Sequence, residues 1–214
     1  QKTAYEIRLS LVGSEMCIRD SAGRGQIVGI TAEAGMGKSR LMAEVIRLAV
    51  DRHVVGFGGE CQSYGTNSSY LVWQNIWRGL FDVDQAQPVA RQIRALGRDL
   101  TQIDPSLVAR LPLLGSVLNL PIPETELTAS LDAKLRKTSL ESLLVDCIRA
   151  KARQRPLLLV LEDSHWIDSL SLDLLEVIGR ASADIPVMIA LAYRPPPEHE
   201  APRVTQLAHF TEVT

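Results

Sequence analysis

The chain has 214 residues, 46% of them hydrophobic and 22% charged, enough for one domain with a sizeable core. Its 23 basic residues against 25 acidic ones give a formal charge of −2, which supplies no electrostatic case for binding nucleic acid or an anionic membrane. No run approaches the ~18 apolar residues that cross a bilayer, so no membrane-spanning helix is expected.

Residues Gln1–Ser21 follow neither a helical nor a strand period. Their text resembles a translated sequencing adapter, so residues 1–21 are expected to be a non-native scar, with a native strand or helix as the alternative. The chain lacks an initiating Met and stops inside a strand-like run, Ala208–Val213, and is expected to be a fragment. Residues 22–214 are then one domain. Of the three cysteines, Cys17 falls in the first segment, while Cys61 and Cys147 have no zinc-type spacing. Both are expected to be buried, reduced thiols of a cytoplasmic protein.

The first clear strand is Ile27-Val28-Gly29-Ile30-Thr31. It runs into Ala32-Glu33-Ala34-Gly35-Met36-Gly37-Lys38-Ser39 and then into a helix beginning at Arg40. A glycine-rich turn between strand and helix lets backbone N–H groups converge on phosphate oxygens, and the helix dipole favours the same charge. Within this loop Lys38 is expected to reach the β- and γ-phosphates, and Ser39 to offer its hydroxyl to Mg²⁺. The expected nucleotide-binding set is therefore Ala32, Glu33, Ala34, Gly35, Met36, Gly37, Lys38, Ser39 and Arg40. The motif's usual first glycine is replaced here by Ala32.

The following helix sets Leu41, Met42, Val45, Leu48 and Ala49 on one face, opposite Arg40, Glu44, Arg47 and Asp51. A second strand is predicted over His53–Glu60. After a polar loop, Gln62–Ser69, a helix carries Trp73, Ile76, Trp77, Leu80 and Phe81. That spacing reads as core packing, with a base-stacking platform as the alternative. Residues 88–128 show the least regular pattern. Pro105 is expected to start a short helix through Leu107, Val108 and Leu111, which Pro112 kinks or ends. The next helix is expected to turn Leu135, Leu140, Leu143, Leu144 and Ile148 inward. Its basic end, Arg149, Lys151, Arg153 and Arg155, is read as a solvated terminus that suits the helix dipole.

Pro156–Leu161 is a continuous apolar run, as a strand buried on both faces requires, and it ends in Glu162 and Asp163. Ligands of open α/β sheets bind beyond the carboxyl ends of the strands, where these acids would meet the phosphate loop. This is a Walker B pattern. Glu162 is expected to help hold Mg²⁺ and Asp163 to polarise the attacking water. Next, Asp168 or Ser169 caps a helix through Leu170, Leu174, Leu175, Ile178 and Ala181, a catalytic role for Asp168 being the alternative. His165 and Trp166 adjoin the acids, either touching nucleotide or simply packed. A last buried strand, Ile185–Ala192, leads to Tyr193 and Arg194. Arg194 is read as a γ-phosphate sensor or, alternatively, an exposed loop arginine.

The segments VGITAEAGMGKSRLMAEV, CQSYGTNSSYLVWQNIW, RPLLLVLEDSHWIDSLSLDLLEVI and PVMIALAYRPPP resemble the AAA-type, origin-recognition-like ATPase domain of large bacterial signalling proteins. Such domains often follow a class III adenylate or guanylate cyclase domain and precede helical repeats, and they occur in large ATP-binding transcriptional activators. The resemblance covers about Gly23 to Val213. It implies an α/β, three-layer P-loop NTPase fold with a parallel sheet ordered 5-1-4-3-2 and a helical insertion between the second and third strands. It also implies ATP and Mg²⁺ as ligands, slow hydrolysis, a lid subdomain beyond Thr214, and covalently linked cyclase, helical-repeat or DNA-binding domains. Further copies of the chain are possible partners; a membrane and direct nucleic-acid contact are not expected. The family usually has Gly where this chain has Ala32, and Asp where it has Glu162. Two other classes of function stand beside the hydrolysing switch: a nucleotide-binding scaffold without significant hydrolysis, and a DNA-loading origin-recognition-like ATPase.

Overall fold

Five short runs form one parallel sheet, the three central ones rich in Val, Ile and Leu: β1 (Gln26–Thr31), β2 (Val55–Glu60), β3 (Leu157–Glu162), β4 (Val187–Tyr193) and β5 (Phe210–Val213). The computed structural model describes residues 23–33, 35–63, 69–195 and 203–213. The segment Gln1–Ser21, with Cys17, lies outside these residues, as does Ala34.

The strand order is β2-β3-β4-β1-β5, the expected 5-1-4-3-2 read from the other edge. β4 inserts between β1 and β3, with Ile189 beside Ile27 on one side and Leu159 on the other. Because all pairs are parallel, the chain leaves β1, β3 and β4 at the same end of the sheet.

Alternation along each strand builds two apolar layers. Val28, Ile30, Leu158, Val160, Met188 and Ala190 face α1 (Lys38–Asp51), which buries Leu41, Met42, Val45 and Ala49 against them. Ile27, Leu159, Leu161, Ile189 and Leu191 face the larger layer. That layer holds α7 (Ser169–Ser182) and the insertion between β2 and β3. The insertion comprises α2 (Leu71–Leu80), α3 (Val89–Ile103), a 3₁₀ segment (Pro105–Leu113), α4 (Leu114–Leu118), α5 (Glu126–Ala129) and α6 (Ala133–Ala152).

The aromatic helix α2 is core. Trp73, Ile76 and Trp77 are fully buried, Trp73 Nε1–H donates to the Ser171 carbonyl at 3.1 Å, and Trp77 stacks on Phe81. None of these rings is free to stack on a base. The close fit extends to the backbone at Gly59, where a Cβ would lie 2.0 Å from the Val72 carbonyl oxygen. Backbone cannot swing aside as a side chain can, so Gly59→Ala is expected to cost roughly 2–3 kcal/mol in denaturant unfolding. An unchanged midpoint would show that α2 is free to slide along β2.

Five local features differ from expectation. Residues 89–103, within the stretch of least regular pattern, form a helix that buries only Gln92, Leu96 and Leu100. Pro112 does not end its helix: it sits inside the 3₁₀ segment, and α-helical winding continues to Leu118, where Asn119 turns left-handed (φ 51°). Leu135 is 55% exposed, because it lies in the first turn of α6, before that helix meets the core. The basic end of α6 is not wholly solvated, since Lys151 Nζ pairs with Asp99 of α3 at 2.7 Å. β2 also begins two residues later than His53, which takes a left-handed turn (φ 60°).

Cys61 and Cys147 are both buried, and burial pushes each thiol up to about 12. Neither is a nucleophile at neutral pH.

Candidate functional site

Beyond Thr31 the chain leaves β1 through Ala32 and Glu33, and Gly35 and Gly37 are both left-handed (φ 79° and 88°). A Cβ at either glycine would meet nothing within 4 Å. Conformation rather than space requires glycine there, and the concave side of the loop is open. Gly37 is the N-cap of α1; no side chain caps that end, and the first turn holds no acid. The positive end of a 14-residue helix thus faces the loop without a local counter-charge. Lys38 lies back across the loop, its Nζ donating to the carbonyls of Ala32 (2.8 Å) and Glu33 (3.0 Å). Met36, Ser39 and Arg40 are exposed.

Glu162 closes β3, and its backbone carbonyl accepts the Cys61 N–H at 2.9 Å. Its carboxyl is held above the usual carboxylate range, first by burial and then by the charges of Glu60 and Asp163. Glu60 is its register partner on β2. Asp163 turns left-handed (φ 49°), a conformation that costs a non-glycine residue of order 1 kcal/mol. The two adjacent acids therefore do not continue the strand's alternation, and Asp163 is half-exposed.

A 3₁₀ turn, Ser164–Trp166, follows and is pinned to β4 by Ser164 Oγ donating to the Ala192 carbonyl at 3.2 Å. Asp168 is the buried N-cap of α7: one carboxylate oxygen accepts the Ser171 N–H at 2.9 Å and the other its hydroxyl. With both oxygens engaged, Asp168 has a structural task. Arg194 follows β4 directly and is exposed.

His165 ties these pieces together. Burial lowers its affinity for a proton; Asp163 opposes that effect, while the positive charges of Arg194 and Lys38 reinforce it. Parallel pairing of β1 and β3 with β4 brings the loop after β1, the turn after β3 and the tip of β4 to one end of the sheet, and the imidazole lies among their charges. Two residues there went unmarked as site candidates in the sequence. Thr31 ends β1 with its Oγ1 buried and lacking a hydrogen-bond partner, and Glu60 stands beside Glu162. Their position at strand ends is the signal that would have found them.

No cluster of three or more His, Cys, Asp or Glu residues among the described residues forms a metal cage. The available donors, the Ser39 hydroxyl and the Glu162 carboxylate, are hard oxygens. They fit Mg²⁺ provided phosphate and water oxygens complete its shell, as is usual for that ion. Among the described residues, no helix is long and apolar enough to cross a membrane.

Comparison with known proteins adds three findings. Residues 12–189 match the family described as AAA ATPase domain, a range that begins inside the first 21 residues and ends before Arg194. A Rhizobium meliloti (strain 1021) protein, described as "Uncharacterized protein R02095", is 29% identical over 176 residues, 81% of this chain. The chain spans only 17% of that relative's length. The solved structure titled "Structure of Drosophila ORC bound to DNA" aligns over 98% of this chain and 90% of its own, at 10% identity and a TM-score of 0.40. With most of its length matched by the family model, the chain belongs to the AAA ATPase domain family.

Proposed function

We propose that this chain binds ATP with Mg²⁺, hydrolyses it slowly, and serves as the switch domain of a larger bacterial signalling protein. The observation that carries the reading is the loop after β1: two left-handed glycines open an uncapped helix whose first residue is Lys38. That geometry presents backbone N–H groups, a helix dipole and an ammonium to one anion.

In this reading the backbone of Ala32, Glu33, Ala34, Gly35, Met36, Gly37, Lys38, Ser39 and Arg40 cradles the phosphates. Lys38 exchanges its two carbonyl contacts for phosphate oxygens. Ser39 and Glu162 hold Mg²⁺, which when bound neutralises charge on the β- and γ-phosphate oxygens. Asp163 orients the attacking water and accepts its proton, and Arg194 reads the γ-phosphate from the tip of β4. The domain runs over residues 22–214. Cyclase, helical-repeat or DNA-binding domains linked to it would turn its nucleotide state into output, and the short span relative to the Rhizobium protein is in keeping with such an arrangement.

Calorimetric titration with ATP and Mg²⁺, paired with steady phosphate release, tests the reading. Saturable binding with slow release is expected. Binding without release would leave a nucleotide-stabilised scaffold, and absence of binding would remove the proposal altogether.

A further inference from the structure

The 3₁₀ turn after β3 holds two side chains that neither the fold nor the proposed chemistry uses. His165 has both ring nitrogens buried with no hydrogen-bond partner. Its nearest acid, Asp163 Oδ1, lies 3.9 Å from Nδ1, beyond hydrogen-bond range. Buried polar atoms are nearly always paired, so both ring nitrogens have capacity for a partner that the protein itself does not supply. Trp166 packs on it, ring centroids 5.1 Å apart, and is 40% exposed. The backbone on either side is fixed, by Ser164 on β4 and by the Asp168 cap of α7. Movement at this turn is therefore left to the two side chains.

We propose that His165 is a positioning residue that hydrogen-bonds the γ-phosphate end of a bound nucleoside triphosphate, and that Trp166 carries the presence of that phosphate to the protein surface. The inference rests on the nucleotide-binding reading above and assigns to it the element that distinguishes triphosphate from diphosphate. Its position suits the task, because the turn is pinned to the end of β4 by Ser164 and parallel pairing sets the loop after β1 and the tip of β4, with Lys38 and Arg194, at that same end of the sheet. The same charges and burial keep the imidazole neutral at pH 7, with one N–H to donate and one bare nitrogen to accept. The N–H is the donor to a phosphate oxygen. Thr31 Oγ1, also buried and unpartnered at the end of β1, is a second polar atom at this end of the sheet.

Tryptophan emission reads the proposal directly. The chain has three tryptophans, and Trp73 and Trp77 are fully buried in the core, so Trp166 is the one placed to respond. The parent protein is titrated with a non-hydrolysable ATP analogue and with ADP, both with Mg²⁺. The emission change is expected with the triphosphate alone and absent in Trp166→Phe. His165→Ala should leave ADP affinity within about threefold while weakening the triphosphate about tenfold or more, the loss of one hydrogen bond to a charged group. It should also abolish the emission difference. His165→Gln, which offers an amide donor, should recover part of both effects, which a merely packing role would not predict. Preserved ADP affinity in each variant certifies the fold. An unchanged triphosphate preference and unchanged emission in His165→Ala overturn this inference while leaving the nucleotide-binding reading intact. A parent that binds neither nucleotide overturns both.

Discussion

Replacing Lys38 by alanine is expected to remove measurable ATP binding. The ammonium already makes two hydrogen bonds to loop carbonyls, at 2.8 and 3.0 Å, so its position over the loop is set before any phosphate arrives. Phosphate oxygens are better partners than carbonyls, and each charge-assisted contact is worth about 1.5–3 kcal/mol. Two such contacts correspond to a loss of about a hundredfold or more in affinity. Thermal stability should change little by comparison, since the contacts given up are with an open loop. Calorimetry with ATP and Mg²⁺, set beside a melting curve, separates the two effects. Equal affinity in variant and parent would sink the phosphate-loop assignment. A collapse of the fold would instead show that Lys38 braces the loop, and Lys38→Met, which keeps the stem, would then be the informative variant.

The three central strands were readable in advance because they are buried along almost their whole length, whereas β2 and β5 at the edges are only partly buried. A run such as Leu157–Leu161 admits no other use, and β4, buried over all seven residues, is equally plain. The insertion was harder to read for an opposite reason. α3 buries only two leucines and one glutamine, so few apolar residues mark it in the sequence although they fall on one face. Leu135 misled because helical periodicity says which face a residue occupies but not where along the helix the core begins. At the site, the spacing of Gly35, Gly37, Lys38 and Ser39 located the loop. Thr31 and Glu60 end their strands, a position that would have marked them as site candidates in the sequence, but that Glu60 stands beside Glu162 is seen only in the folded register. The left-handed turn at Asp163 was also out of reach: aspartate tolerates that conformation without announcing it.

That turn shapes the last prediction, which concerns the paired acids. If Glu162 serves the metal and Asp163 the water, their amide variants should fail differently. Glu162→Gln should weaken Mg²⁺-dependent ATP binding, because a neutral amide is a poorer partner for a hard cation and its water shell. The same variant should be somewhat more stable without Mg²⁺. Glu162 has a folded-state pKa raised above 4.5, so the folded protein holds that proton more tightly than the unfolded chain. Stability from this group is lost as pH rises through the raised value, and at pH 7 the charged form is the unfavourable one, beside Glu60 and Asp163. Glutamine removes that charge. Asp163→Asn should keep ATP bound and slow phosphate release by about 10²–10⁴-fold, the usual consequence of losing a general base. Asparagine also accepts a left-handed backbone well, so the turn at φ 49° survives and the lost charge is what the assay reads. Binding titrations with and without Mg²⁺, phosphate release and melting curves in the full-length protein give the four readouts. Reversed phenotypes, with Asp163→Asn losing Mg²⁺ dependence and Glu162→Gln losing only turnover, would move the metal to Asp163. The charge of Asp163 would then be offset by the metal, leaving the register partner Glu60 to repel Glu162.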